Sequence, residues 1–202
     1  TGRIIGGTVP SQRITVSRVT GTTAATIGLG KPDYSAPADA PYTATEVPVP
    51  GPGDFTLGGT LTVPTNASGP VPAVVTITGS GQQDRDEYLP IAGGYRPFRQ
   101  VADTLGRRGI AVLRLDDRLI GASVVQLGTS ADYADDVRAA LAWLRARPEI
   151  DGDRLALLGH SEGGLIAPMV AATDPRLKGI VLMAGPSQTG AEILAFQQKQ
   201  AS

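Results

Sequence analysis

The chain has 202 residues, 41% of them apolar, which is enough for one domain with a sizeable core or one domain plus a small appendage. Its 18 basic and 19 acidic residues leave a formal net charge of −1, so it lacks the basic excess that phosphate contacts require, and nucleic acid is not an expected partner. Cysteine is absent, which excludes disulfides, thiolate metal sites and a cysteine nucleophile, and no apolar run approaches the roughly 20 residues that span a bilayer.

Residues 1–30 are rich in Thr, Gly, Ile and Val, with strand-like alternation over 13–17, and read as the remnant of a β-rich N-terminal unit. Residues 31–41 place Pro32, Pro37 and Pro41 among small polar residues and read as a linker. The main domain occupies 42–202. It opens with strands at 43–49 and 55–63 around a Gly/Pro turn, a hairpin pattern. A β-branched run over 71–78 leads into Gly79-Ser80-Gly81. Pro97 opens a helix whose buried stripe is Phe98, Val101, Ala102 and Leu105, and Gly109 closes it before a strand at 110–115. Ser130 is the expected N-cap of the next helix, with Tyr133, Val137, Leu141 and Leu144 on its apolar face and Pro148 as its stop. A strand at 155–158, a helix at 161–172, a strand at 180–184 and a helix from Gly190 onward follow. Apolar strands alternating with amphipathic helices predict an α/β fold, a mostly parallel sheet with helices on both faces. Ligands in such sheets bind beyond the carboxyl ends of the strands.

The chemistry concentrates in Gly159-His160-Ser161-Glu162-Gly163-Gly164, a G-x-S-x-G pattern between a predicted strand and a predicted helix. A serine at so tight a bend is thrust out above the sheet, and bulk at Gly159 or Gly163 would clash there. The helix behind it aims N–H groups at the site and favours developing negative charge. Ser161 is the candidate nucleophile, and Glu162 N–H a candidate oxyanion donor. Acyl transfer needs a second donor, expected from the loop after the neighbouring strand: Ser80 N–H first, Gly81 second. Asp84, Arg85 and Asp86 follow that loop, and Asp116, Asp117 and Arg118 end the next strand. Pairing between these groups would rigidify the two loops and hold the oxyanion loop in place. No histidine accompanies the acidic groups, so no metal site is expected. His160 is the only histidine. Adjacent to Ser161 on an extended segment, it points to the opposite side, and it is expected to pack beside the bend rather than act as the base.

The stretches ITGSGQQDRDE (77–87), RPFRQVADTLGRRGIAVLRLDDR (96–118), SADYADDVRAALAWLRARPEI (130–150), GHSEGGLIAPMVAA (159–172) and VLMAGPSQTGAEIL (181–194) together resemble a bacterial esterase family of the α/β-hydrolases, related to serine aminopeptidases and prolyl-oligopeptidase-like hydrolases. The resemblance runs from about Tyr42 to the end. It implies an α/β-hydrolase-type sheet, a nucleophile at Ser161, an oxyanion loop at Gly79, Ser80 and Gly81, and no cofactor. The sequence departs from the family at Leu119-Ile120-Gly121-Ala122-Ser123, where a Gly-x-Gly-Lys-Ser turn is usual, so this loop is expected to be reshaped. The family runs on in the order Ser, acid, His. The catalytic acid and base are therefore expected outside this chain, residues 42–202 being the N-terminal part of the domain and the sheet incomplete on its C-terminal side. The expected function is hydrolysis of a small carboxylic ester through an acyl-enzyme on Ser161, with little or no activity in this piece alone. A peptidase or thioesterase with the same nucleophile is the alternative among enzymes; a fragment or degenerate hydrolase that only binds is the alternative outside them. An exposed sheet edge predicts self-association or association with the remaining half. No leader is visible, and since the first residue is Thr1 one can have been removed; a soluble protein, periplasmic or secreted rather than cytoplasmic, is expected.

Overall fold

The structure, a computed structural model, describes residues 6–9, 14–17, 32–123 and 125–201. These fall into two units. In the first, β1 (Gly6–Val9) and β2 (Ile14–Ser17) pair as an antiparallel ribbon, and Leu89–Tyr95 forms a short turn containing a single 3₁₀ turn at Pro90–Ala92. The rest of the β-rich unit expected at 1–30 lies outside the described residues.

The second unit, Tyr34–Tyr88 with Arg96 onward, carries the main sheet. The expected linker therefore ends early. Tyr34 is buried, its ring 4.2 Å beneath the Arg85 guanidinium and its hydroxyl bonded to Asp84, so the chain from this residue packs on the domain. Six strands form the sheet: β3 (Tyr42–Pro50), β4 (Thr56–Pro64), β5 (Val71–Ile77), β6 (Ala111–Leu115), β7 (Ile150–His160) and β8 (Gly179–Met183), in the order β3-β4-β6-β5-β7-β8. The β3–β4 hairpin joins β6 antiparallel, and β6, β5, β7 and β8 run parallel. The sheet is thus mixed, parallel over four strands with an antiparallel hairpin on one side.

Four helices connect and cover it: α1 (Pro97–Gly106), α2 (Ser130–Arg145), α3 (Gly163–Ala171) and α4 (Gly190–Ala201). The crossover through α1 steps from β5 to β6 in one direction, whereas those through α2 and α3 step from β6 to β7 to β8 in the other. Since such crossovers are right-handed, the reversal puts α1 on one face and α2 with α3 on the opposite face. Packing agrees. Ala134, Val137, Leu141 and Leu144 of α2 and Ile166 and Val170 of α3 share a core with Ala73, Val75, Leu113, Leu155 and Leu157, while α1 packs on β4 and β6. Each such aliphatic side chain contributes about 1.5–3 kcal/mol on burial. The reversal occurs at β5, so the loops after β5 and β7 diverge and open a crevice above their carboxyl ends.

Two boundaries differ from expectation. β7 begins at Ile150, five residues earlier than its apolar run, because Ile150 pairs with Val71 across a register shift before Leu155 meets Ala73. The cap of α2 is Thr129, not Ser130: its hydroxyl accepts Asp132 N–H while the Asp132 carboxylate accepts Thr129 N–H, a capping box.

Candidate active site

Ser161 sits between β7 and α3 with φ +52°, in the left-handed region that a β-carbon disfavours. Its N–H donates to Met183 O at 2.9 Å, and its carbonyl accepts Gly164 N–H at 2.9 Å, so the bend is fixed from both sides. The flanking glycines are obligatory for steric reasons. A β-carbon at Gly159 would overlap the Gly163 carbonyl, and one at Gly163 would overlap the Ile77 carbonyl at the end of β5. The helix α3 can therefore start directly against β5, which brings the elbow beside the loop 78–83. A β-carbon built on Gly79 would lie 3.2 Å from that of Ser161.

Among the described residues, the N–H groups of Ser80, Gly81 and Glu162 meet no hydrogen-bond acceptor. Gly81 has φ +99°, a conformation suited to glycine, and the loop turns outward at Ser80, which is exposed. Gly79 N–H, by contrast, is taken: it donates to Glu87 Oε1 at 2.9 Å. Of the three loop residues carried over by resemblance, Gly79 is thereby removed as an oxyanion donor. The Glu162 side chain accepts from Ser130 Oγ at 2.6 Å, so the first residue of α2 steadies the residue after Ser161.

The charged residues that follow the loop divide into separate anchors. Asp84 organises its own turn, accepting Asp86 and Tyr88 N–H groups. Arg85 pairs with Asp116 through Nε at 3.0 Å and Nη2 at 2.6 Å, and also donates to Gly59 O and Thr60 Oγ1 on β4. Asp86 is wholly buried against Arg114 and Arg96; burial presses the Arg114 guanidinium down to about 10. Asp117 accepts Thr78 Oγ1 at 2.5 Å and Gln83 N–H at 2.9 Å, one residue on each flank of Gly79–Gly81. Burial, with the nearby Glu87 and Asp116 carboxylates, raises its carboxyl from 3.8 to about 7, against the pull of those two hydrogen bonds. Arg118 does not join this cluster. It turns to α2, where Asp136 receives it at 2.7 Å and 2.8 Å.

His160 is half-buried, with Nδ1 2.6 Å from Glu87 Oε1. The loop after Arg118 puts Leu119 at φ +67°, a left-handed conformation that favours glycine. Ser123 closes that loop, its hydroxyl donating to Asp116 O and accepting Gly58 N–H. A cavity of about 50 Å³ lies beside the oxyanion loop, bordered by Ile77, Gly79, Gly81, Asp117, Tyr133 and Glu162. No helix among the described residues is long and apolar enough to cross a membrane.

Residues 92–201 match the family described as serine aminopeptidase, S33. The chain is 33% identical over 145 residues to esterase EstD of Thermotoga maritima, covering 71% of this chain and 34% of that protein. It is 32% identical over 91 residues to the thiohydrolase apmlB of Arthrinium phaeospermum, covering 42% and 28%. Among solved structures, the dienelactone hydrolase of Anabaena variabilis superposes with a TM-score of 0.57 at 26% identity, over 72% of this chain and 64% of that one. The chain spans about a third of the length of the curated relatives it matches.

Proposed function

Since the chain belongs to the S33 serine aminopeptidase family and has the α/β-hydrolase fold, we propose that it carries the nucleophile of a serine hydrolase acting on small carboxylic esters. The observation that carries this reading is Ser161 held at φ +52° between β7 and α3, next to the N–H groups of Ser80, Gly81 and Glu162, which meet no acceptor among the described residues. In the proposed reaction Ser161 Oγ attacks the ester carbonyl, and its proton passes to a histidine. The carbonyl oxygen becomes an oxyanion held by Glu162 N–H and by Ser80 or Gly81 N–H. Collapse expels the alcohol and leaves an acyl-enzyme, which water then cleaves.

His160 is not assigned the role of base, because Glu87 holds its ring at Nδ1. The base and the carboxylate that orients it are proposed to come from residues beyond this sequence. The ester preference draws on the esterase named above; the small cavity beside Gly79 and Gly81 favours a short acyl group. A thioester is the second reading, favoured by the thiohydrolase relative, and an aminoacyl amide the third, favoured by the family description. Turnover of p-nitrophenyl acetate, an acyl-thioester and an aminoacyl p-nitroanilide, with Ser161→Ala as control, separates them. Fluorophosphonate should label this chain slowly or not at all, and a longer chain carrying the histidine rapidly at Ser161. Labelling at any other serine refutes the assignment.

The partner surface is proposed to be the free edge of the sheet. Val181 and Leu182 on β8 and Leu194 and Phe196 on α4 are large, apolar and exposed, a surface that a second copy or a further segment of the protein would cover. A monodisperse monomer in sedimentation velocity would refute this.

A further inference from the structure

Glu87 is a residue for which neither the nucleophile nor the oxyanion donors account. It is completely buried, yet it carries a carboxylate, and its backbone sits at φ +56°, where a residue with a long side chain is strained. The end of the turn that begins at Asp84 places it there, with Glu87 N–H donating to Asp84 O at 2.8 Å. From that position one oxygen, Oε1, makes two contacts with different parts of the site. It accepts Gly79 N–H at 2.9 Å and lies 2.6 Å from His160 Nδ1. Because Oε1 is the acceptor for the amide, the ring is taken to donate to it from Nδ1. The other oxygen, Oε2, is buried with no donor among the described residues. Burying a carboxylate with one oxygen unpaired is unfavourable, and so is the left-handed backbone that delivers it. A fold needing only to fill this space would be served by an apolar side chain.

We propose that Glu87 is the positioning residue of this active site, a clamp that locks the first residue of the oxyanion loop to the residue preceding the nucleophile through a single carboxylate oxygen. Gly79 and His160 each immediately precede a residue of the machinery, Ser80 and Ser161. Holding both on one atom sets the separation between the oxyanion donors and the nucleophile. It also spends Gly79 N–H, so the loop turns to the oxyanion with the N–H groups that follow, Ser80 first. Asp117 secures the loop's flanks at Thr78 and Gln83, but it does not touch the nucleophile strand; Glu87 alone among the described residues bonds to both.

The inference rests on Ser161 being the nucleophile, and the test separates the two. An arylboronic acid forms a tetrahedral adduct with an activated serine and places an oxygen where the oxyanion would lie; ¹¹B NMR titration of the longer chain that carries the histidine reads its affinity. Ser161→Ala should abolish the adduct, and unchanged binding there would sink the nucleophile reading. Glu87→Leu removes both contacts while keeping the space filled. It should weaken the adduct by about 10–100-fold, the sensitivity expected when a site is misplaced by about an ångström, with no loss in urea midpoint. Glu87→Gln retains an acceptor oxygen and should recover affinity to within about threefold of the parent. Affinity within twofold of the parent in Glu87→Leu would overturn the clamp. Should the leucine variant not fold, or the parent form no adduct, amide hydrogen exchange of the parent decides. Gly79 should exchange at least about tenfold more slowly than Ser80 and Gly81, and equal rates would overturn the proposal.

Discussion

Asp117 gives the domain a pH dependence of unusual sign for a carboxylate. Its folded value is about 7, against 3.8 when unfolded. Between those values the native state holds a proton that the unfolded chain has released, so stability falls as pH rises. It should drop by about 1.4 kcal/mol per pH unit from about pH 4 and level off above pH 7. Over about three units the total approaches 4 kcal/mol, an upper figure because buried groups relax. Asp117→Asn mimics the protonated side chain and cannot ionise. The variant should match the parent near pH 4 and exceed it by up to about 4 kcal/mol at pH 8. Urea unfolding of both proteins at pH 4.5, 6 and 8 measures the difference, in which the remaining carboxylates cancel. A difference independent of pH, or one that makes the variant relatively weaker at pH 8, would refute the reasoning. The same substitution replaces an acceptor by a donor toward Thr78 or Gln83, so its boronate affinity at pH 8 should fall several-fold even as the fold gains stability.

Three further outcomes are expected. Leu119→Gly should stabilise the domain by about 0.5–1 kcal/mol, since φ +67° strains leucine and not glycine; a lower urea midpoint would contradict this. Gly163→Ala drives a β-carbon into the Ile77 carbonyl and should cost more than about 3 kcal/mol or prevent folding, read by circular dichroism and thermal melting. Asp116→Ala leaves the Arg85 guanidinium, 4% exposed, without its carboxylate and should cost about 3–5 kcal/mol. The double variant Arg85→Met/Asp116→Ala should recover part of that loss, and a cycle showing simple additivity would remove the pair from the account.

The parallel strands were legible because apolar runs such as Ala73–Val75 and Leu155–Leu158 have few alternatives to a doubly covered sheet, and the elbow because glycines bracket a serine between two such signals. The first five residues of β7 were not legible. Asp151, Asp153 and Arg154 look like loop, and only the register shift opposite Val71 draws them into the strand. The cap of α2 was misplaced by one residue because Thr129 and Ser130 are equivalent cap formers in isolation. What selects Thr129 is Asp132 three residues on, together with the use of the Ser130 hydroxyl at Glu162. Glu87 and the burial of Asp117 were hidden for a different reason. An acidic side chain within a run of charges reads as solvated, and its burial depends on partners 30 or more residues away in sequence, such as Thr78 for Asp117 and His160 for Glu87.

The Arg85 guanidinium joins Gly59 near the start of β4, Asp116 after β6 and its own turn after β5. Three neighbouring strands are thereby tied at the rim where the serine emerges, whereas the Thr65–Pro70 connection at the far end of β4 is exposed and bears none of that tension. Insertions or a change of chain ends at 65–70 can accumulate there without drift at the rim, which makes this connection the natural place to graft a reporter or to open the chain.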